Sequence, residues 1–222
     1  DTAGNAASAV NDTIVLDSVA PTSNAISIAG GAIYTSSTSV TLSLASTGAS
    51  QMRFRNDSGS YGNWVTYATS YSHTLANTQG TRTVSVQFRD TAGNAASAVN
   101  DTIVLDSVAP SAGTVADGSG TDIDVQSSTS TIQANWSGFS DATSGIDLYQ
   151  WAIGTTSGGT QTMGWTNSGV SGTKTGLSLS DGVTYYVSVK AKDKAGNTSS
   201  AAISDGVLAN TSGPTGNAIS IA

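Results

Sequence analysis

The chain has 222 residues, enough for one large domain or two of about 100 residues, with a formal charge of −7 and charged side chains at only 10%. All acidic residues are Asp, and neither Glu nor Cys occurs. An acidic chain so poor in Lys and Arg has no electrostatic footprint for nucleic acid, where phosphate neutralisation dominates affinity. Zero Cys excludes disulfides and thiolate metal sites, and no apolar run approaches the roughly 18 residues of a membrane span. Ser, Thr, Asn and Gly dominate instead, residues that compete with helical hydrogen bonds or lose too much entropy in a helix. The composition predicts an all-β protein.

The opening phrase, DTAGNAASAVNDTIVLDSVAP at Asp1–Pro21, returns unchanged at Asp90–Pro110. Two further repeats appear. PTSNAISIA (Pro21–Ala29) returns as PTGNAISIA (Pro214–Ala222), and VSVQFRDTAGN (Val84–Asn94) returns more loosely as VSVKAKDKAGN (Val187–Asn197). Repeats govern the whole reading of a fold, and these divide the chain into four parts. Residues 1–20 are the last strand and linker of a preceding repeat, and 21–109 are a first complete module. Residues 110–212 are a second module of another type, and 213–222 begin a further copy of the first. The simplest account is an excerpt from a longer array of neighbouring repeats.

In the first module, turn residues punctuate short alternating runs. A strand near Ala25–Ile28 is followed by SVTLSLA (Ser39–Ala45), QMRFRN (Gln51–Asn56), NWVTYA (Asn63–Ala68), SHTLA (Ser72–Ala76), RTVSVQFRD (Arg82–Asp90) and DTIVLDS (Asp101–Ser107). About seven strands at this spacing predict a sandwich. Period two sets Val84, Val86 and Phe88 on one face, with Thr83, Ser85, Gln87 and Arg89 on the other.

The second module repeats this grammar. Ile132, Ala134 and Trp136 share a face, and GIDLYQWAIGT (Gly145–Thr155) reads as a strand. Tyr185, Val187, Val189 and Ala191 alternate with Tyr186, Ser188, Lys190 and Lys192. The step Leu179, Gly182, Tyr185 into that strand has the form of a tyrosine corner, in which the phenol bonds upstream backbone.

On Trp136, Leu179-Ser-Asp-Gly-Val-Thr-Tyr185 and the closing DKAGN, the second module resembles a fibronectin type III domain. On YTSSTSVTLSL (Tyr34–Leu44), NWVTYA, GTRTVSVQFRDTAGN and IVLDSVAP, the first resembles the Ig-like repeats of large bacterial surface proteins and adhesins. The resemblance implies tandem β-sandwiches of about seven strands each, an extracellular or cell-surface location, and neighbouring repeats as partners, assembled with further copies into a fibre. It implies neither enzyme activity nor a cofactor.

Few residues invite a chemical role. In D-x-A-G-N (Asp90–Asn94, Asp193–Asn197), Asp is expected to bond backbone amides two residues on while Gly93 and Gly196 supply positive φ. That predicts a closed turn in preference to a Ca²⁺ ligand set, since each loop offers one carboxylate where Ca²⁺ takes 6–8 oxygens. ADGSGTDID (Ala116–Asp124) is denser. Asp117, Asp122 and Asp124 are weak Ca²⁺ candidates, without the spacing of an EF-hand loop. The single His, His73, shares a face with Tyr71 and Leu75 and reads as a packed side chain. No nucleophile elbow surrounds any Ser.

Among exposed aromatics Trp165, in the turn-rich stretch TMGWTNSG, is the ligand candidate, whereas Trp151 packs with the core. The short linkers LDSVAP (Leu105–Pro110) and LANTSGP (Leu208–Pro214) end in Pro, which stiffens them. The leading expectation is therefore a structural segment of a fibre, stalk or sheath. The alternatives are an adhesin module holding a carbohydrate or protein, and spacer domains of a secreted hydrolase.

Overall fold

The computed structural model describes residues 2–212; the repeat at Pro214–Ala222, read as the start of another module, lies outside the described residues. Two compact units are present. Of the described residues, one takes those up to Gly31 with Ser39–Ala76 and Thr83–Thr102, and the other takes Ala32–Thr38, Asn77–Arg82 and those from 103 to 212.

Eight strands come from residues 22–105: β1 (Thr22–Ile28), β2 (Tyr34–Thr35), β3 (Ser39–Thr47), β4 (Gln51–Asn56), β5 (Val65–Thr66), β6 (Ser70–Thr74), β7 (Gly80–Arg89) and β8 (Val99–Leu105). They form a three-stranded sheet in the order β1-β3-β6 and a five-stranded sheet in the order β2-β8-β7-β4-β5. The alternation sets the buried face as expected. Val40, Leu42 and Leu44 are buried on β3 between exposed Ser and Thr, and Val84, Val86 and Phe88 are buried on β7. Phe54 stacks on Tyr71 with ring centroids 4.7 Å apart, and Tyr67 meets Phe88 edge-on at 5.8 Å, geometries that aromatic quadrupoles favour.

The run NWVTYA, expected to be a strand across Asn63–Ala68, pairs only through Val65 and Thr66, opposite Met52 and Gln51. Two-residue β2, absent from the sequence reading, lies parallel to β8. Its pairing is two residues long, too short to leave an alternating pattern.

Nine strands come from residues 114–209: β9 (Thr114–Asp117), β10 (Val125–Gln126), β11 (Ile132–Ser137), β12 (Ile146–Gly154), β13 (Met163–Ser168), β14 (Ser171–Lys174), β15 (Val183–Asp193), β16 (Ala202–Ile203) and β17 (Val207–Ala209). One sheet has the order β14-β11-β9, the other β10-β17-β15-β12-β13 with β16 also on β15. The chain passes from β9 in one sheet to β10 in the other through residues 118–124. That crossing places Asp117 and Asp122 at the point where the chain changes sheets.

Trp136 lies in the core between Tyr149 and Trp151, with centroids 6.1 and 6.0 Å away. Gly172 on β14 admits the Trp151 indole, for a Cβ there would fall 2.6 Å from its ring. Tyr185 is 4% exposed, and its hydroxyl oxygen accepts the Ser180 amide at 2.9 Å. The tyrosine corner thus has the bond its sequence pattern implied. Tyr185→Phe leaves that amide without its acceptor, a loss of about 1–2 kcal/mol. In urea the midpoint of the second unit's transition falls while its slope stays constant.

Candidate functional sites

The D-x-A-G-N loops join β7 to β8 and β15 to β16, and their hydrogen bonds match atom for atom. Asp90 Oδ1 accepts the Asn94 amide at 2.9 Å, and Oδ2 accepts the Asn94 side-chain amide at 2.8 Å. Asp193 makes both bonds to Asn197, each at 2.8 Å. Gly93 and Gly196 stand at φ 96° and 99°, where a side chain is strained. The hydrogen bond from Asn94, with help from the amides of Asn94, Gly93 and Ala92, holds the Asp90 carboxyl below the usual carboxylate range although burial opposes the charge.

Each of these Asn side chains has a second amide hydrogen, and each places it on an LDSVAP phrase. Asn94 donates to the Asp17 carbonyl at 3.0 Å, and Asn197 donates to the Asp106 carbonyl at 2.8 Å. Asp17 and Asp106 occupy the same place in the repeated phrase. The prolines ending the two phrases, Pro21 and Pro110, are both buried.

Two groups of three carboxylates appear among the described residues, each with oxygens within 4.8 Å of one another: Asp106, Asp141 and Asp193, and Asp117, Asp122 and Asp205. In the first, amides take both oxygens of Asp106 and Asp193 and one oxygen of Asp141. Asp106 accepts from Val108 and Ser144, and Asp141 Oδ1 accepts from Thr143, Ser144 and Gly145. Burial works against the Asp141 charge, but the amides of Gly145, Ser144 and Thr143 outweigh it and hold its pKa below the ordinary value. The second group keeps Asp117 and Asp122 of the sequence candidates and exchanges Asp124 for Asp205. The Asp124 carbonyl accepts Leu208, as part of the sheet edge. Burial pushes the Asp117 carboxyl up to about 6, with Asp122 and Asp205 adding like charge, against the Ser204 hydroxyl and Gly206 amide. Asp205 lies 88 positions from Asp117 (205 − 117), so no local motif signals it.

Trp165 is not in a turn, as its Gly-rich surroundings suggested, but on β13, which pairs with β12. It is 36% exposed, and the Lys190 ammonium sits 4.4 Å from its ring centroid. The first module carries a larger version that the sequence reading missed. The Arg53 guanidinium lies 4.8 Å from the Tyr61 ring and 4.5 Å from Trp64, Arg89 lies 4.4 Å from Trp64, and Arg55 lies 4.9 Å from Tyr61. The signal was the alternation of Arg53 and Arg55 on β4 beside aromatic-rich residues 61–67, read there only as strand. These cation–aromatic contacts are of the order of 1 kcal/mol each, and they occupy the rings a ligand would use. His73 packs against Phe54 at 5.6 Å with its Nε2 2.9 Å from Asn56 Oδ1, and burial lowers its pKa.

Both pairs of sheets are β-sandwiches, the all-β fold class that the sequence implied. No family model matches the chain, and no curated protein matches it in sequence. Among solved structures, it is similar to the fibronectin(III)-like modules of Clostridium thermocellum CbhA, with 13% identity, 84% of this chain and 94% of that one covered, and a TM-score of 0.44. Titin domains A168–A170 give 16% identity, coverage of 86% and 67%, and a TM-score of 0.49. The FN1–FN3 domains of chicken CNTN1 give 13%, 83% and 63%, and 0.43. At these scores the likeness carries nothing about activity or partners. Among the described residues no helix is long and apolar enough to cross a membrane.

The low pKa of Asp141 has a definite sign. Its stabilisation is complete above the unfolded-state value of about 3.9 and is lost as pH falls through the lower folded value. In thermal melts from pH 2.5 to 7, Asp141→Asn melts below the wild type at neutral pH, and the gap closes below pH 4.

Proposed function

We propose that this chain is a non-catalytic structural segment of an extracellular fibre, stalk or sheath, in which sandwiches joined by short linkers serve as spacer and assembly units. Its partners on this reading are neighbouring repeats of the same protein. The observation that carries the proposal is the recurrence of one linker contact. At both LDSVAP phrases the linker carbonyl is held by the amide of a D-x-A-G-N Asn, and the closing Pro is buried. A linker with fixed hydrogen bonds and a fixed proline φ resists bending, whereas Gly/Ser linkers behave as random coils.

The repeat of an identical phrase supports the same reading. A binding specialisation needs one site, while a spacer needs the same joint many times. An adhesin role draws less support, because Trp165 and Trp64 already face cationic side chains.

The test is X-ray scattering from one, two and four tandem copies of residues 21–213, which keep a proline at every joint. The maximum dimension grows in proportion to copy number if the joints are stiff. Growth close to the square root of copy number, as for a flexible chain, overturns the proposal. Asn197→Ala bends the rod: the four-copy dimension falls relative to wild type, and the Val108 amide exchanges hydrogen faster.

A further inference from the structure

Asp117 is 0% exposed and ends β9. A buried carboxylate is tolerated when both oxygens find partners, and is costly otherwise. Its Oδ2 accepts the Gly206 amide at 3.1 Å and the Ser204 hydroxyl lies beside the carboxylate, but Oδ1 is fully enclosed without a hydrogen-bond partner. The carboxylates beside it add to the cost. Asp122 and Asp205 each bring an oxygen within 4.8 Å of the group, and both act on Asp117 as like charges. An enclosed carboxylate oxygen without a donor, in a group with two further carboxylates, is a set of hard anionic oxygens that a cation would neutralise.

The surrounding backbone holds this arrangement in place. The Asp117 amide donates to Asp122 Oδ1 at 2.6 Å, and the Ile123 amide donates to the Asp117 carbonyl at 3.2 Å. The Asn135 side chain on β11 donates to the carbonyls of Gly118 and Gly120, at 3.1 and 2.9 Å. On the other side Gly206 stands at φ 103°, and a Cβ there would lie 2.7 Å from Thr184 Cγ2. Asp205 is therefore carried by backbone that only Gly206 permits.

We propose that Asp117, Asp122 and Asp205 bind a calcium ion inside the second sandwich, where the chain passes from β9 to β10. The donor chemistry selects the metal. Carboxylate oxygens alone suit a hard divalent cation, whereas zinc prefers nitrogen and sulfur ligands. Magnesium takes one or two carboxylates and keeps most of its water, while calcium accepts several carboxylates and flexible geometry. Two of the three ligands are exposed, which leaves room for water to complete the shell. The Asp106, Asp141 and Asp193 group gives the contrast. There amides take both oxygens of Asp106 and Asp193 and Oδ1 of Asp141, and none of the group's oxygens is both enclosed and without a partner.

Calorimetric titration of the full chain with CaCl₂ at pH 7.5, with melts in 5 mM CaCl₂ and in EGTA, tests the site. Wild type shows one-site binding with Kd on the order of 10⁻⁴–10⁻³ M, the range of extracellular modules, and melts higher in calcium. Asp205→Asn, an exposed change that spares the core, weakens binding at least about tenfold (roughly 1.4 kcal/mol) and abolishes the melting shift. Asp141→Asn leaves both intact. Asp117→Asn changes sign with buffer, more stable than wild type in EGTA and less stable in calcium. No heat and no shift for wild type, a shift that survives Asp205→Asn, loss with Asp141→Asn, or one sign for Asp117→Asn in both buffers would each overturn the assignment.

Discussion

The closure of D-x-A-G-N by one Asp–Asn pair sets the positions of most other features around it. Both carboxylate oxygens are consumed within the loop, by the amide and side-chain amide of the Asn four residues on. That fixes the loop without a ligand and pins the rotamer of the Asn. Its second amide hydrogen then points outward in a determined direction, and in both loops it meets the carbonyl of an LDSVAP Asp. Gln in place of Asn would extend the amide by one methylene, and Asp would bring an acceptor against an acceptor. The motif therefore specifies a turn and a linker contact together, which explains why two modules with different cores keep the same five-residue pattern.

The long strands were legible because each buries one face. On β3 and β11 the apolar positions alternate with polar ones and the burial follows them, while on β7 and β15 the apolar face is buried likewise and Ser85 and Ser188 are buried on the opposite face. What period two could not reveal were β2, β10 and β16, two-residue strands whose pairing is decided by neighbours distant in sequence. Trp165 misled for a related reason. The glycines around it suggested a turn, but β12 recruits the segment into the sheet by its free edge. The role of Gly172 was equally hidden, since it depends on the Trp151 indole across the core.

The absence of Glu, which at first marked only a poor helix former, acquires a cause at the level of single bonds. Among the described residues, the carboxylates of Asp12, Asp17, Asp57, Asp90, Asp101, Asp106, Asp117, Asp122, Asp141, Asp181 and Asp193 all accept backbone amides. Many of these amides lie one to four residues away, a reach that suits the short Asp side chain and that the extra methylene of Glu overshoots. Several cations meanwhile lie over rings: Arg53, Arg55, Arg89 and Lys190 against Tyr61, Trp64 and Trp165. Negative charge in this chain therefore serves to hold loops, and positive charge to cover aromatic faces. Against that background the Asp117 group stands apart, because its central carboxylate keeps one enclosed oxygen that no amide reaches.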